Sequence, residues 1–204
     1  MARSDPETRP ARTATSHDHA LMDTPPPPAR PRPGATPAGP ASPPGPVAVR
    51  RATLADAPAL ADVHVRAWRE TYPGLLSEAL LASLSVAEQE SAWREILRGP
   101  DAAGAWLAEH DRAVVGFVHV RAPQDADAPR PVELGMLYVL AEHHGGGVGH
   151  ALVDAALGDR PAYLWVARDN PRARRFYARQ GFAPDGASKR IERWDDILDI
   201  RLVR

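Results

Sequence analysis

One feature constrains the possible folds of this chain more than any other. It is a mostly apolar run that leads directly into a glycine-rich turn and then a helical pattern. The run PVELGMLYVL (131–140) predicts a strand buried on both faces, and its Gly135 indicates a bulge or a close backbone approach. Residues 142–153 follow as EHHGGGVGHALV, and helical spacing continues to about Leu157. A second apolar run, AYLWVA (162–167), predicts the next strand, so these parts together indicate one βαβ crossover.

The rest of the chain from residue 47 predicts further strands and helices around that crossover. Alternation of apolar and polar residues predicts additional strands at 47–53, on both sides of a turn at 110–112, around 186–193, and at 198–203. Helical spacing and capping residues predict helices after Asp56, around 77–84, around 87–97, and within 169–182. The fold class expected for residues 47–204 is therefore α/β, with a mixed sheet whose N-terminal half is antiparallel.

Composition excludes several classes of protein. The chain has 204 residues and a net charge of −1, so no overall positive charge favours nucleic acid as a partner. The absence of cysteine rules out disulfides, thiolate metal ligands and a cysteine nucleophile, and it suits a cytoplasmic protein. No run of about 18 apolar residues is present, so no membrane span is expected. The sequence leaves open whether the chain forms a homodimer.

The first 46 residues differ sharply from the rest. They hold 13 of the 22 prolines and none of the aromatic residues. Such a segment cannot bury enough apolar surface to offset its ordering entropy, so a disordered proline-rich tail is predicted for residues 1–46. A ligand for a proline-binding domain and a passive tail are both compatible with this composition.

The glycine-rich turn favours an anion site. Unpaired N–H groups at a helix N-terminus attract negative charge, and glycines let phosphate oxygens come close. Neither nucleotide pattern fits, because no Lys-Ser/Thr follows the glycines and the GxGxxG spacing fails. Three histidines flank the glycines, and clustered histidines can bind a metal. No metal is expected, since His143 and His144 would point apart in extended backbone and no cysteine or HExxH spacing is present.

The ordered set of motifs resembles the GNAT superfamily of N-acetyltransferases. HGGGVGHALV is similar to the family's acetyl-coenzyme A loop, Gln/Arg-x-x-Gly-x-Gly/Ala, with His144 at the Gln/Arg position. LYV (137–139) looks like the end of the family's fourth strand, and LWVARDNPRARRFYARQGF (164–182) resembles its second signature. Two N-terminal stretches, 49–68 and 113–120, extend the resemblance over nearly all of 47–204. It implies acetyl-coenzyme A as co-substrate and a GNAT-like fold.

The resemblance also implies roles for individual residues. Tyr177, on the helix after Asn170, takes the position of the acid that protonates the leaving thiolate, and packing beside Phe176 is the alternative role. Glu133, a carboxylate in the apolar run, is the candidate base, although a surface-facing Glu is an equal alternative. A main-chain N–H near Val139 is expected to bind the oxyanion. The cofactor-binding residues implied are Leu137, Tyr138, Val139, His144, Gly145, Gly146, Gly147, Val148, Gly149, His150 and Asn170.

The function expected is transfer of an acetyl group to a primary amine of a small molecule or peptide by direct attack in a ternary complex. A non-catalytic acyl-coenzyme A sensor on the same fold is the alternative, because His144 departs from the family pattern. The acceptor is expected to lie near Trp68, Tyr72 and residues 186–196, which include Trp194, Asp195 and Asp196. Aromatic and acidic groups together suit a cationic amine. Trp68 has an alternative role in the core, and Asp195-Asp196 one as a solvated turn.

Overall fold

The computed structural model describes residues 46–204, which form one seven-stranded sheet with helices on both faces. The strands are β1 (Ala48–Arg51), β2 (Ala105–His110), β3 (Ala113–Arg121), β4 (Glu133–Val139), β5 (Tyr163–Ala167), β6 (Ala183–Ile191) and β7 (Ile197–Val203). The helices are α1 (Ala57–Thr71), α2 (Glu78–Ser83), α3 (Val86–Arg98), α4 (Val148–Leu157) and α5 (Pro171–Arg179). The predicted proline-rich tail lies outside the described residues, apart from Pro46.

The strands are arranged in the order β1-β2-β3-β4-β5-β7-β6. Strands β1 to β4 pair antiparallel, β4 and β5 pair parallel, and β7 lies antiparallel between β5 and β6. This topology confirms the predicted mixed sheet, including the antiparallel N-terminal half and the βαβ crossover through α4. The additional strand expected around 186–193 is β6.

Each face of the sheet has its own apolar cluster. On one face, α1 and α3 bury Leu60 and Trp93 against Phe117 of β3. On the other face, α4 buries Leu152 against a cluster that includes Val118 of β3 and residues of β5. Because side chains alternate along a strand, neighbouring residues of β3 supply the two clusters. In residues 46–204, no helix combines the length and the apolar character needed to cross a membrane.

Glycine, asparagine and proline residues at the helix ends set the bounds of the two helices that flank β5. Helix α4 starts after Gly147 and stops before Gly158, at the predicted residues. Helix α5 starts at Pro171, and the side chain of Asn170 caps it by accepting a hydrogen bond from Ala173 N at 3.0 Å. Asp56 holds the N-cap position of α1 but does not cap it. Its carboxylate instead accepts hydrogen bonds from the Arg50 side chain and from Thr53.

Strand β4 departs from the prediction of burial on both faces. Only Glu133 and Leu134 are buried, and the residues from Gly135 to Val139 are half-buried. The prediction was wrong because β5 pairs with β4 at one position only, which leaves the rest of β4 partly accessible. The expected bulge is present: His119 pairs with Met136 and the next residue of β3 pairs with Leu134, which leaves Gly135 as the extra residue.

Candidate active site

The site begins with a gap in the sheet between β4 and β5. These parallel strands pair at one position, Glu133 with Tyr163, whereas β5 and β7 pair at five. Beyond that position the two strands diverge, and a cavity of about 660 Å³ extends between them. Residues of β4, β5, α5 and the N-terminus of α4 line it. A sheet that opens in this way exposes main-chain donors and acceptors to a ligand.

The N-terminus of α4 faces this cavity without a side-chain cap. Its N-cap is Gly147, whose φ of +83° suits glycine, and the first intrahelical bond is donated by Ala151 N. The N–H groups of Val148, Gly149 and His150 therefore have no acceptor within the helix. All three residues line the cavity. Three such donors at the positive end of a helix form a binding site for an anionic group.

Gly149 is required by packing as well as by ligand access. A Cβ atom at this position would lie 3.1 Å from the ring of Phe176 on α5. The absence of a side chain therefore lets α5 approach the first turn of α4. Gly145, at φ +79°, adds a second left-handed residue to the turn. The glycines thus serve backbone conformation at two positions and close packing at a third.

The side chain of His144 forms hydrogen bonds through both ring nitrogens. Its Nε2 lies 2.7 Å from the carbonyl oxygen of Val139, which only accepts, so Nε2 carries the proton. Its Nδ1 then accepts a hydrogen bond from the guanidinium of Arg172 on α5. The ring is therefore neutral and both nitrogens are occupied. The positive charge beside the α4 N-terminus belongs to Arg172, a cavity residue that sequence reasoning missed.

The backbone of Val139 points into the gap. Leu140 N donates to Val115 O of β3 at 2.9 Å. Because N–H groups alternate in direction along a strand, the Val139 N–H points away from β3, towards β5. At this end of β4 the neighbouring strand has already diverged. This geometry leaves the Val139 N–H facing the cavity.

Three tyrosines lie close to one another beside the gap. The hydroxyl groups of Tyr72 and Tyr138 are 3.2 Å apart, and both residues interact electrostatically with Tyr177 on α5. Burial raises the pKa of Tyr177 well above its usual value, so its hydroxyl stays protonated at neutral pH. Among the described residues, none forms a hydrogen bond with that hydroxyl, and Tyr177 lines the cavity. A protonated phenol in this setting can donate a proton to a ligand.

Glu133 lies in a different environment from Tyr177. Its side chain is 6% exposed and pairs with Arg121 at 2.8 Å. The other carboxylate oxygen accepts from Gln124 N at 3.1 Å and from the Tyr163 hydroxyl at 3.2 Å. Both oxygens thus have strong partners, and the residue lies at the closed end of the gap. This is the geometry of a buried structural ion pair.

Comparisons with known proteins agree with this geometry. The sequence pattern of the Acetyltransferase (GNAT) family matches residues 62–182. A probable N-acetyltransferase of Mycobacterium tuberculosis, Rv2775, is 30% identical over 146 residues, covering 69% of this chain and 82% of that protein.

The chain belongs to the GNAT acetyltransferase family. An uncharacterized N-acetyltransferase of Archaeoglobus fulgidus is 35% identical over 140 residues, covering 65% of this chain and 90% of that protein. Among solved structures, the paiA N-acetyltransferase of Thermoplasma acidophilum in complex with coenzyme A has a TM-score of 0.58 at 21% identity. That likeness covers 78% of this chain and all of the other, and it supports the shared fold.

In this GNAT protein, all the residues predicted to bind the cofactor except Gly146 line the cavity at the gap. The side chains of Leu137 and Val139 pack towards α4, whereas the ring of Tyr138 packs towards α1. Asn170 has the capping role, and the ring of His150 bonds Gln180 at 3.0 Å. Binding of acetyl-coenzyme A by these residues stays a prediction, as do the catalytic roles of Tyr177 and Glu133.

The predicted acceptor region divides into two parts. Tyr72 and Trp194 line the cavity, whereas Trp68 is buried in an apolar cluster. Asp195 and Asp196 form an exposed turn with positive φ values of 52° and 58°. Glu133 lines the cavity at the closed end of the gap, and a second acidic residue lines it from β7. It is Asp199, which is 8% exposed and which sequence reasoning missed.

Proposed function

We propose that this GNAT protein transfers an acetyl group from acetyl-coenzyme A to a primary amine, directly and within a ternary complex. The observation that carries the proposal is the continuous cavity from the α4 N-terminus, along the gap, to the hydroxyl of Tyr177. One end offers main-chain donors for a pyrophosphate, and the other offers a proton donor. Acetyl-coenzyme A supplies the thioester that is attacked.

The N–H groups of Val148, Gly149 and His150 would hold the pyrophosphate, with the backbone of Gly145 to Gly147 shaping the turn. Arg172 adds the positive charge that His144 lacks. The exposed edge of β4, from Leu137 to Val139, supports the extended part of the cofactor through main-chain bonds. Because Arg172 supplies the positive charge, a neutral His144 can stand at the position where the family has Gln or Arg.

At the far end, the Val139 N–H would stabilise the oxyanion that forms when an amine attacks the thioester carbonyl. Tyr177 gives its proton to the sulfur as the carbon–sulfur bond breaks. No cysteine is present to form an acyl-enzyme, which is consistent with direct transfer. The acceptor belongs to the class of primary amines, free or on a peptide.

Two measurements on the full chain test this function. Thermal melting with saturating acetyl-coenzyme A is expected to show stabilisation, because a ligand that binds only the folded state raises its stability. A panel of primary amines is then screened for thiol release. Stabilisation without thiol release for any amine would favour the acyl-coenzyme A sensor. The absence of stabilisation would remove both functions.

A further inference from the structure

Asp199 holds an unusual position for a carboxylate. On β7 it pairs with Ala167 of β5 and with Lys189 of β6. Its neighbour Ile200 packs into the cluster beneath α4, so the Asp199 side chain points to the opposite face, where it lines the cavity. Among the described residues, no hydrogen-bond donor contacts its carboxylate. A buried carboxylate without a partner costs stability, and such groups are frequent at functional sites.

The charged and titratable groups around Asp199 are few. Lys189 on β6 and Tyr72 after α1 interact with it electrostatically. The Lys189 ammonium is held elsewhere, 3.4 Å from Asp125 and 4.0 Å above the ring of Trp165. Burial raises the pKa of Asp199 to about 6, although Lys189 acts in the opposite direction. The carboxylate is therefore ionised at pH 7 and able to take up a proton near that pH.

Asp199 and Tyr177 approach the gap from opposite faces of the sheet. Tyr177 packs in the cluster under α4, whereas Asp199 lies on the face that carries α1. Tyr72 interacts electrostatically with both residues, and all three line the same cavity. An amine held by Asp199 would reach the thioester from one side while Tyr177 reaches the sulfur from the other. This arrangement separates the base from the acid.

The surroundings of Asp199 also restrict the acceptor. Apolar and aromatic side chains line this end of the cavity: Tyr72, Leu76, Trp165, Ile191, Trp194 and Ile197. Arg193 lines it too, and no carboxylate within residues 46–204 lies at ion-pair distance from its guanidinium. Because Lys189 is paired with Asp125, Arg193 is the cation without a counter-charge beside the one available carboxylate, Asp199. A polyamine would meet repulsion here, whereas a single ammonium group on an apolar body would fit.

We propose that Asp199 binds the acceptor amine and removes its proton, and that the acceptor carries one ammonium group on an apolar or aromatic body. This inference rests on the acetyl transfer proposed above. The ammonium gives one proton to Asp199, and its nitrogen forms a bond with the acetyl carbon. The carbon–sulfur bond breaks, and the sulfur takes the proton of Tyr177. The nitrogen's second proton restores Tyr177, and Asp199 releases its proton to solvent, so the products are an amide, a thiol and one proton.

The test compares the full chain with Asp199→Asn, which keeps the size of the side chain. Phenethylamine is the acceptor probe, and spermidine is the polycationic comparison. We expect the wild type to prefer phenethylamine, and Asp199→Asn to lower kcat/KM at least about 100-fold. The acidic limb of the wild-type pH profile, near pH 6, should disappear. Asp62→Asn, an exposed substitution on α1, is the matched control and should leave kcat/KM unchanged.

Two binding and stability readouts separate this inference from the proposed function. Asp199→Asn should keep the stabilisation by acetyl-coenzyme A and should melt higher than the wild type at pH 8, because a buried charge has been removed. An active wild type whose Asp199→Asn variant keeps its rate and pH profile would overturn the role of Asp199. A preference for spermidine would overturn the acceptor class. A wild type that neither binds acetyl-coenzyme A nor releases thiol would instead overturn the proposed function.

Discussion

At the scale of single residues, the site separates two kinds of polar group. The Tyr177 hydroxyl and the Asp199 carboxylate reach the cavity without hydrogen-bond partners among the described residues, whereas Glu133 is bonded through both oxygens. Unpaired buried groups are available to a ligand, and fully paired ones hold the structure together. The environment of each group therefore indicates its role better than its residue type does.

Tyr177→Phe should lower turnover by about 100-fold or more while leaving cofactor binding intact. The ring still packs against Phe182, but the proton for the sulfur is lost. Steady-state thiol release and thermal shift with acetyl-coenzyme A measure the two effects separately. Unchanged turnover would remove Tyr177 from the mechanism.

Glu133→Gln should lower stability much more than turnover. The substitution removes the carboxylate charge that pairs with the Arg121 guanidinium, which is 13% exposed, and breaking a buried pair costs about 3–5 kcal/mol. Urea unfolding measures that loss, and turnover is compared at a temperature where both proteins are folded. A fall in turnover of about 100-fold in folded protein would instead support the base role predicted from the sequence.

At the scale of elements, residues of α5 contact the glycine-rich turn and the first turn of α4. Arg172 on its first turn holds His144 and puts a positive charge beside the uncapped end of α4. The packing of Phe176 on Gly149 fixes the distance between the two helices. Cofactor affinity thus depends on a helix that is separate from the glycine-rich turn.

Arg172→Gln should weaken acetyl-coenzyme A binding by about tenfold, the value of one charge-assisted hydrogen bond. Isothermal titration at two salt concentrations measures the loss, and the salt dependence should decrease with it. Arg175→Gln, an exposed substitution on the same helix, is the control. Adding His144→Gln to Arg172→Gln should recover part of the affinity. Equal affinity of wild type and Arg172→Gln would contradict the assignment.

The sequence was most informative where structure is set locally. The bounds of α4 and the start of α5 were predicted because Gly147, Gly158, Asn170 and Pro171 act on their own neighbours. Asp199 was not, because an alternating strand such as β7 has two faces and the sequence does not say which one a cavity reaches. Arg172 was missed for a similar reason, since its contact with His144 spans 28 residues and depends on how two helices pack.

At the scale of the whole molecule, acid should weaken the fold through a buried histidine. His64 on α1 lies among the rings of Trp68, Trp93, Phe117 and Tyr138, and burial lowers its pKa from 6.5 to about 4. Between about pH 6.5 and pH 4, the His64 imidazole therefore binds a proton in the unfolded chain but not in the folded chain. The stability that the neutral ring contributes is present above about pH 6.5 and is lost as pH falls towards 4.

The expected cost of that proton is about 2 kcal/mol of unfolding free energy between pH 8 and pH 5. His64→Gln should remove this part of the pH dependence, and His110→Gln at the end of β2 is the control. Urea unfolding at both pH values gives the comparison. Because the raised pKa of Asp199 acts with the opposite sign, each variant is compared with the wild type at both pH values. Identical pH dependence in His64→Gln and wild type would contradict the prediction.

The single pairing position between β4 and β5 has a consequence for how the protein unfolds. One backbone ladder holds β1 to β4 and another holds β5 to β7, and within residues 46–204 the two ladders pair only at Glu133 and Tyr163. The line between these halves is then a boundary of cooperativity, where local opening needs little free energy. A ligand lying in the gap would bridge both edges. Amide hydrogen exchange along β5 should therefore slow more on cofactor binding than exchange along β2, which lies far from the gap. The bound cofactor would thus connect the two halves of the sheet where backbone pairing is absent.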